Sequence, residues 1–352
     1  MCRRRGRGRC AAGPGPLVMT LDDHLVAIRG ARTADELVTA IGQVRAAPPP
    51  RAGPEVAALW WSGLVRVAAD RAVDLVGPPE GVRWHWFVTG SCGRGEALPG
   101  ADVETLAVFD ADGPNDRRNE VFAQAARVHE LLENGGLAGD SNGATASRAR
   151  CCRTREEWVA ATDRWAQAPQ TDRGVVMAGL MLDSCAVGET AATTGDDPKL
   201  WMREAAARHR ELGSAMAQDA TASREVVPAR LAVLTGRRDS VDIKQAVIDP
   251  IVRLARLKAV LADSAASATT DRLSVVDEQL TDIDWDGLVQ AYRATTVLRW
   301  TLRSRRWEKT PRSAWDIVTL GELAPHDRAA LRSAGREVLR AQRVVRYQWR
   351  LL

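Results

Sequence analysis

The chain has 352 residues, beyond the ~100–200 of one ordinary domain, and is 45% apolar and 27% charged. That balance excludes a wholly disordered, collagen-like or disulfide-miniprotein chain, and no run approaches the ~18 apolar residues of a membrane span. The formal charge of +4 misleads, because Arg3, Arg4, Arg5, Arg7 and Arg9 stand in residues 1–18 without an acid; the rest holds 44 basic against 45 acidic residues, which does not imply wholesale nucleic-acid binding.

Residues 1–18 read as a disordered basic tail, a weak targeting segment, or sequence upstream of a start at Met19. They lack the apolar core of a secretory signal. The third reading is preferred, since 45 Arg against 4 Lys suggests G+C-rich coding DNA, where spurious upstream starts are common. Cys2, Cys10, Cys92, Cys151, Cys152 and Cys185 form no C-x-x-C pair, and with five scattered His residues they make no zinc-type cluster. A reduced, cytoplasmic protein is expected.

Residues 19–78 form an N-terminal helical segment. Leu25, Ile28, Leu37, Ile41 and Val44 recur at helical spacing, Pro48-Pro49-Pro50 breaks the pattern, and a longer helix runs from Glu55 to Val76 until Pro78-Pro79-Glu80-Gly81 ends it. Val82–Val88 is rich in β-branched and aromatic residues and reads as a strand. After a glycine-rich loop comes a second strand, Glu104–Phe109, then a turn at Asp112-Gly113-Pro114-Asn115. A helix over Arg117–Glu133 is stopped by Asn134-Gly135-Gly136. A polar loop, 139–153, leads to a short helix over Glu156–Gln167. The apolar run Val175–Leu182 fits a buried strand or a buried helix equally well. Beyond 196 the pattern is helical, with helices expected over 198–219, 241–262, 284–304 and 326–350. The fold class is α+β: N-terminal helices, a small mixed-sheet domain over 79–188, and a C-terminal helical bundle over 189–352.

The chemistry concentrates in Thr89-Gly90-Ser91-Cys92-Gly93-Arg94-Gly95-Glu96, followed by Asp102-Val103-Glu104. A strand that runs into a Gly-Ser turn lets backbone N–H groups approach a phosphate. Period-two alternation puts Asp102 and Glu104 on one face. Two acids beside a phosphate-cradling turn are how proteins hold Mg²⁺ against a nucleoside triphosphate. A lone Gly-Ser-x-Gly is usually a turn and a lone Asp-x-Glu a solvated strand edge. Their ordered coincidence between two strands carries the argument.

These residues resemble the signature of polymerase-β-type nucleotidyltransferases. The closest branch is the bacterial signal-transduction nucleotidyltransferases that carry a C-terminal substrate-binding helical domain. They are related to the PII uridylyltransferase and the glutamine synthetase adenylyltransferase. The resemblance continues through Asn142-Gly143-Ala144-Thr145-Ala146, Glu156-Glu157-Trp158, Leu182-Asp183-Ser184-Cys185, Val241-Asp242-Ile243-Lys244, Pro250–Arg256 and Thr270–Leu273. It implies that Gly90 and Ser91 hold nucleotide phosphates; Asp242 and Lys244 either line the same cleft, Lys244 as a nucleotide contact, or are a helix-start acid and a solvated base. Arg94 would contact phosphate or brace the loop, with Glu96 as its partner. Asp102 and Glu104 would ligate Mg²⁺ or Mn²⁺. Asp183, on a neighbouring strand, would be the third carboxylate, helping to activate the attacking hydroxyl. The implied reaction moves an NMP group from an NTP to a hydroxyl, on a regulatory protein by analogy with the two nitrogen-regulation relatives. Three departures favour the alternative, an inactive nucleotide- or protein-binding module using the same cleft. They are Glu104 in place of Asp, Cys185 in place of Arg, and Pro99-Gly100-Ala101 in place of a hydroxyl residue before the first acid.

Elsewhere the structural readings are preferred. His85 and His129 read as packed histidines, and Cys92 as a small slot-filler unless a helix N-terminus makes it redox-sensitive. The stripe Arg328, Arg332, Arg336, Arg340, Arg343, Arg346 and Arg350 reads first as a solvated face. It leaves an acidic protein partner or RNA open.

Overall fold

The computed structural model describes residues 21–46, 52–111, 117–188, 195–222, 225–229, 239–276, 278–307 and 312–350. The expected basic tail, the Pro48-Pro49-Pro50 break and the Asp112–Asn115 turn lie outside these residues.

Helices α1 (Leu21–Gly30) and α2 (Ala34–Ala46) meet at a turn held by Thr33 and Glu36. Thr33 Oγ1 accepts from the Glu36 N–H at 3.2 Å, and the Arg32 N–H donates to Glu36 Oε2 at 2.6 Å. Helix α3 (Pro54–Val76) opens on proline, whose missing N–H costs nothing in a first turn, and stops at Gly77 with φ +68°. These three helices share one core with the inner face of the sheet, including Leu64, Val65, Trp86, Val88, Ala107 and Phe109.

Strand β1 (Val82–Val88) leads through a single helical turn, α4 (Gly90–Gly93), to β2 (Thr105–Ala111). After α5 (Arg118–Asn134) come β3 (Cys152–Thr154), α6 (Arg155–Gln167), α7 (Gly174–Leu182) and β4 (Cys185–Ala186). The sheet order is β3-β2-β1-β4, with β2–β3 parallel and the other two pairs antiparallel. Register places Val88 opposite Thr105 on one side and Cys185 on the other. The end of β1, the start of β2 and the start of β4 therefore lie at the same end of the sheet. The ambiguous run Val175–Leu182 is a helix, covered by α6, by the next helix and by the outer sheet face of Phe87, Leu106 and Val108.

The C-terminal part departs from expectation in two places. The helix expected over 198–219 is two helices, α8 (Pro198–Arg208) and α9 (Arg210–Thr221). They break at His209, whose backbone is extended and whose ring bonds Asp163 at 2.9 Å. The helix expected from 241 begins instead as strand β5 (Ser240–Asp242), paired antiparallel with β6 (Ile317–Thr319). A π-helical turn at Lys244–Ile248 then joins α10 (Asp249–Leu261). Pro250 offers no N–H, and its ring would collide with the carbonyl four residues back, so a widened turn suits it. Helices α11 (Thr269–Ser274), α12 (Trp285–Arg306) and α13 (Pro325–Gln348) complete the bundle. Its core is continuous with the outer sheet face and with α6 and α7.

Helix α6 starts with a complete capping box, in which Thr154 Oγ1 accepts from the Glu157 N–H and Glu157 answers to the Thr154 N–H. Thr154→Ala should therefore lower stability by about 1 kcal/mol. The check is the urea midpoint, which should fall without a change in slope.

Candidate functional site

The hairpin register delivers the Gly-Ser turn beside the acids. The Thr89 N–H donates to the Glu104 carbonyl at 2.9 Å, extending the β1–β2 pairing by one residue. Two glycines then become obligatory. Gly90 has φ +58°, and a Cβ there would stand 1.5 Å from Glu104 Oε2. At Gly93 a Cβ would lie 1.9 Å from the Asp183 carbonyl oxygen and 2.8 Å from that of Val88. Cys92, between them, is buried, and its thiol is pushed up to about 12 by burial and by the charge of Glu104. It fills a small slot and is no thiolate.

Val103 is fully buried and bridges to Gly139, so Asp102 and Glu104 turn the opposite way. The bridge brings a third acid alongside: the Asp140 N–H donates to the Val103 carbonyl at 3.2 Å. The Asp140 carboxylate accepts from the Ala144 N–H at 3.0 Å and from Asn142 Nδ2 at 3.2 Å. Burial raises the Glu104 carboxyl to about 7, with Asp140 adding repulsion and Arg94 and Lys244 opposing it. The Asp102 carboxyl is also raised, by burial first and Asp140 second, against Lys244, Arg312 and Arg303. Gly90, Ser91, Asp102, Glu104 and Lys244 are thus brought together. Asp140, which the sequence reading passed over, joins them; an Asp two residues ahead of an Asn-Gly turn was the available signal.

Asp183 is not where it was expected. It lies at the C-terminal end of α7, two residues ahead of β4, with its carboxylate completely buried. Oδ1 accepts from Arg272 Nη1 at 2.6 Å. Oδ2 accepts from Arg256 at 2.5 and 3.1 Å and from Arg94 Nη1. Burial alone would raise this carboxyl, but the guanidiniums of Arg256, Arg94 and Arg272 outweigh it and hold it well below the ordinary range. In place of a third metal ligand the fold has an ion-pair hub, and its oxygens are already taken by guanidiniums.

Arg94 and Glu96 belong to the same hub. Arg94 Nε donates to Glu96 Oε2 at 2.7 Å, and Glu96 accepts from the Thr269 N–H at 2.5 Å and from Thr269 Oγ1 at 2.8 Å. Both therefore brace the loop against Asp183 and the start of α11. A second hub, Asp316 with Arg299 and Arg303 at 2.7–2.9 Å, supports the loop ahead of Asp102, where Arg303 reaches the Pro99 carbonyl at 3.5 Å.

The donor set suits a hard divalent cation. Asp102, Glu104 and Asp140 offer only oxygens, and a cation would offset the burial and the repulsion that raise the first two. Among the described residues no three His, Cys, Asp or Glu side chains close into a ready-made cage. Such an ion would be shared between one or two carboxylates and a phosphate ligand, which is how Mg²⁺ is usually held. In the C-terminal stripe, Arg328 and Arg346 bond backbone carbonyls of Leu323 and Thr221, and Arg340 pairs with Glu337.

Two family models match the chain. Residues 44–172 match the family described as "Putative nucleotidyltransferase DUF294", and residues 210–349 match "Putative nucleotidyltransferase substrate binding domain". The first match spans Gly90, Asp102, Glu104 and Asp140; the second spans Lys244, Arg256, Arg272 and Arg303. The chain belongs to this family, which supports nucleotidyl transfer as its general activity. No curated protein matches it.

Removing the charge of Asp183 leaves three guanidiniums facing one another in a buried space. Asp183→Asn should cost about 3–5 kcal/mol, the penalty for breaking a buried pair from one side. A carboxyl whose native value is depressed contributes fully above its ordinary 3.8 and loses that contribution as pH falls below it. Wild-type stability should therefore drop below about pH 4, and the Asn variant should lack that part of the acid dependence in urea titrations.

Proposed function

We propose that this family member catalyses Mg²⁺-dependent transfer of an NMP group from an NTP to a hydroxyl acceptor. The acceptor oxygen attacks the α-phosphorus, the bond to the bridging oxygen breaks, pyrophosphate leaves, and the hydroxyl proton passes to a carboxylate. The observation that carries this reading is the convergence of Asp102, Glu104 and Asp140 beside a cradle with no room for a Cβ at Gly90. Asp102 and Glu104 would hold Mg²⁺ or Mn²⁺. When bound, the ion supplies charge neutralisation at the phosphates and in-line positioning.

The chain's own residues do the rest. Gly90 and Ser91 let the backbone approach the phosphates. Lys244, exposed on the π-helical turn and opposing the charge of both acids, offers a cation to the nucleotide. Asp140 takes the role of third acid once expected of Asp183, receiving the hydroxyl proton. The family's substrate-binding helices and its signalling relatives favour a regulatory protein as acceptor in the cytoplasm. The unpaired thiols of Cys92, Cys151, Cys152 and Cys185 are compatible with a reducing compartment. No described helix is long and apolar enough to cross a membrane.

One observation favours a second reading, nucleotide binding without turnover. The Glu104 carboxylate lies directly against Gly90, so the longer side chain occupies the floor of the cradle. A labelling assay separates the two. Full-length protein, host lysate, Mg²⁺ or Mn²⁺ and each α-labelled NTP are incubated beside an Asp102→Ala/Glu104→Ala double variant. Transfer predicts label in a discrete acceptor with wild type and at least a hundredfold less with the variant, about the scale of lost electrostatic stabilisation. Metal-dependent NTP binding that the variant loses, without label, selects the second reading. Neither binding nor label, with folded protein, overturns both.

A further inference from the structure

A cavity of about 460 Å³ opens where the ends of α2 and α5 meet the segment that follows α12. Its walls include Arg45, Glu133, Asn134, Trp307, Arg312 and Trp315. We propose that this cavity is a nucleotide-binding site, distinct from the Gly90 cradle, that takes the base and phosphate of a nucleoside phosphate.

Both cations are seated on one glycine. A Cβ at Gly136, where φ is +95°, would lie 2.6 Å from Arg45 Cδ and 3.0 Å from its Nε, so the arginine stem rests on bare backbone. Arg312 Nη2 donates to the carbonyl of the same Gly136 at 3.1 Å. Two guanidiniums are thereby held towards one space. Among the described residues the Arg45 side chain has no hydrogen bond or ion pair, and the Arg312 side chain has that single carbonyl bond. Burial and the charge of Arg45 both disfavour the Arg312 cation, with only Asp102 in its favour. An anion placed between the two would relieve this repulsion.

The aromatic wall supplies the other half. The rings of Trp307 and Trp315 stand 5.3 Å apart at 34°, and Trp61 meets Trp307 edge-on at 6.5 Å. A planar base can stack on the indole rings that line the cavity. Glu133 and Asn134 bring acceptors and donors to the same space. The Glu133 carboxylate, which would repel a bare anion, suits the hydroxyls of a sugar or the amino group of a base.

The cavity also communicates with the acids. The loop leading to Asp102 lies on its wall, because a Cβ at Gly100 would stand 2.3 Å from Trp315 Cζ3. An occupant between Arg45 and Arg312 would alter the charge that Asp102 faces.

The test is equilibrium dialysis of the full chain in EDTA with AMP, GMP, CMP and UMP, and with inorganic phosphate alone. Chelation silences transfer and metal-dependent binding, so failure here leaves the labelling result standing, and the reverse. The expected result is saturable binding of at least one NMP. Arg45→Glu, an exposed change, should weaken it about tenfold or more, the scale of one charge-assisted contact. Trp307→Ala should do the same, whereas Asp102→Ala/Glu104→Ala, which removes negative charge near Arg312, should not weaken it. Three results would overturn the proposal. They are no saturable binding by folded protein, inorganic phosphate binding as tightly as every NMP, or binding lost in the Asp102/Glu104 variant and untouched by Arg45→Glu.

Discussion

Asp183 with its three guanidiniums is the contact on which the arrangement of the molecule turns. One buried carboxylate receives Arg94 from the loop after the cradle, Arg256 from α10 and Arg272 from α11. Glu96 supplies a second negative charge through Arg94 and extends the bonding to Thr269. Isolated, each of these charges would be costly to bury; together they are tolerable because all four oxygens of Asp183 and Glu96 accept from the guanidiniums or from Thr269. Arginine suits this role better than lysine, since its planar fork can serve two acceptors at once, as Arg94 does with Asp183 and Glu96. The consequence is positional. The carbonyl of Asp183 also touches Gly93, so the residue that gathers the arginines sets the floor under the phosphate turn.

The opposite balance holds one strand end away. The hub gathers three cations around two acids, whereas on the hairpin face Asp102, Glu104 and Asp140 lie together and Lys244, Arg94, Arg312 and Arg303 offset them only in part. In the hub, opposite charges depress the Asp183 carboxyl despite complete burial. On the hairpin face, burial and a like-charged neighbour raise Asp102 and Glu104. Only the second arrangement has something to gain from an incoming cation, because only there are the acids poorly compensated by the protein itself. That contrast separates a bracing acid from a ligating acid more sharply than sequence spacing does.

What the sequence made legible follows from the range of the interactions. The cradle and the Asp102/Glu104 pair belong to one hairpin, twelve to fourteen residues apart, and alternation around buried Val103 suffices to orient them. Asp183 was misplaced because its partners Arg94, Arg256 and Arg272 come from distant parts of the chain and nothing near it announces them. The apolar run before it could not be assigned by periodicity, since it is buried on most sides as a helix would be and a strand could be. Strands β5 and β6 have three residues each, too few to show alternation, and pair across more than seventy intervening residues. Asp140 was hidden in a polar loop, where its approach to Val103 depends on a single parallel bridge.

The two family matches end at residue 172 and begin again at 210, and Asp183 falls in neither. Its arginines do: Arg94 lies in the first segment, Arg256 and Arg272 in the second. A hub whose acid comes from the joining stretch and whose cations come from both sides cannot be divided without leaving buried charge unpaired. The outer sheet face, α6 and α7 likewise share one core with the C-terminal helices. The segment that carries the cradle and the segment that carries Lys244 are therefore one folding unit, and the cleft between them is defined only when Asp183 holds both.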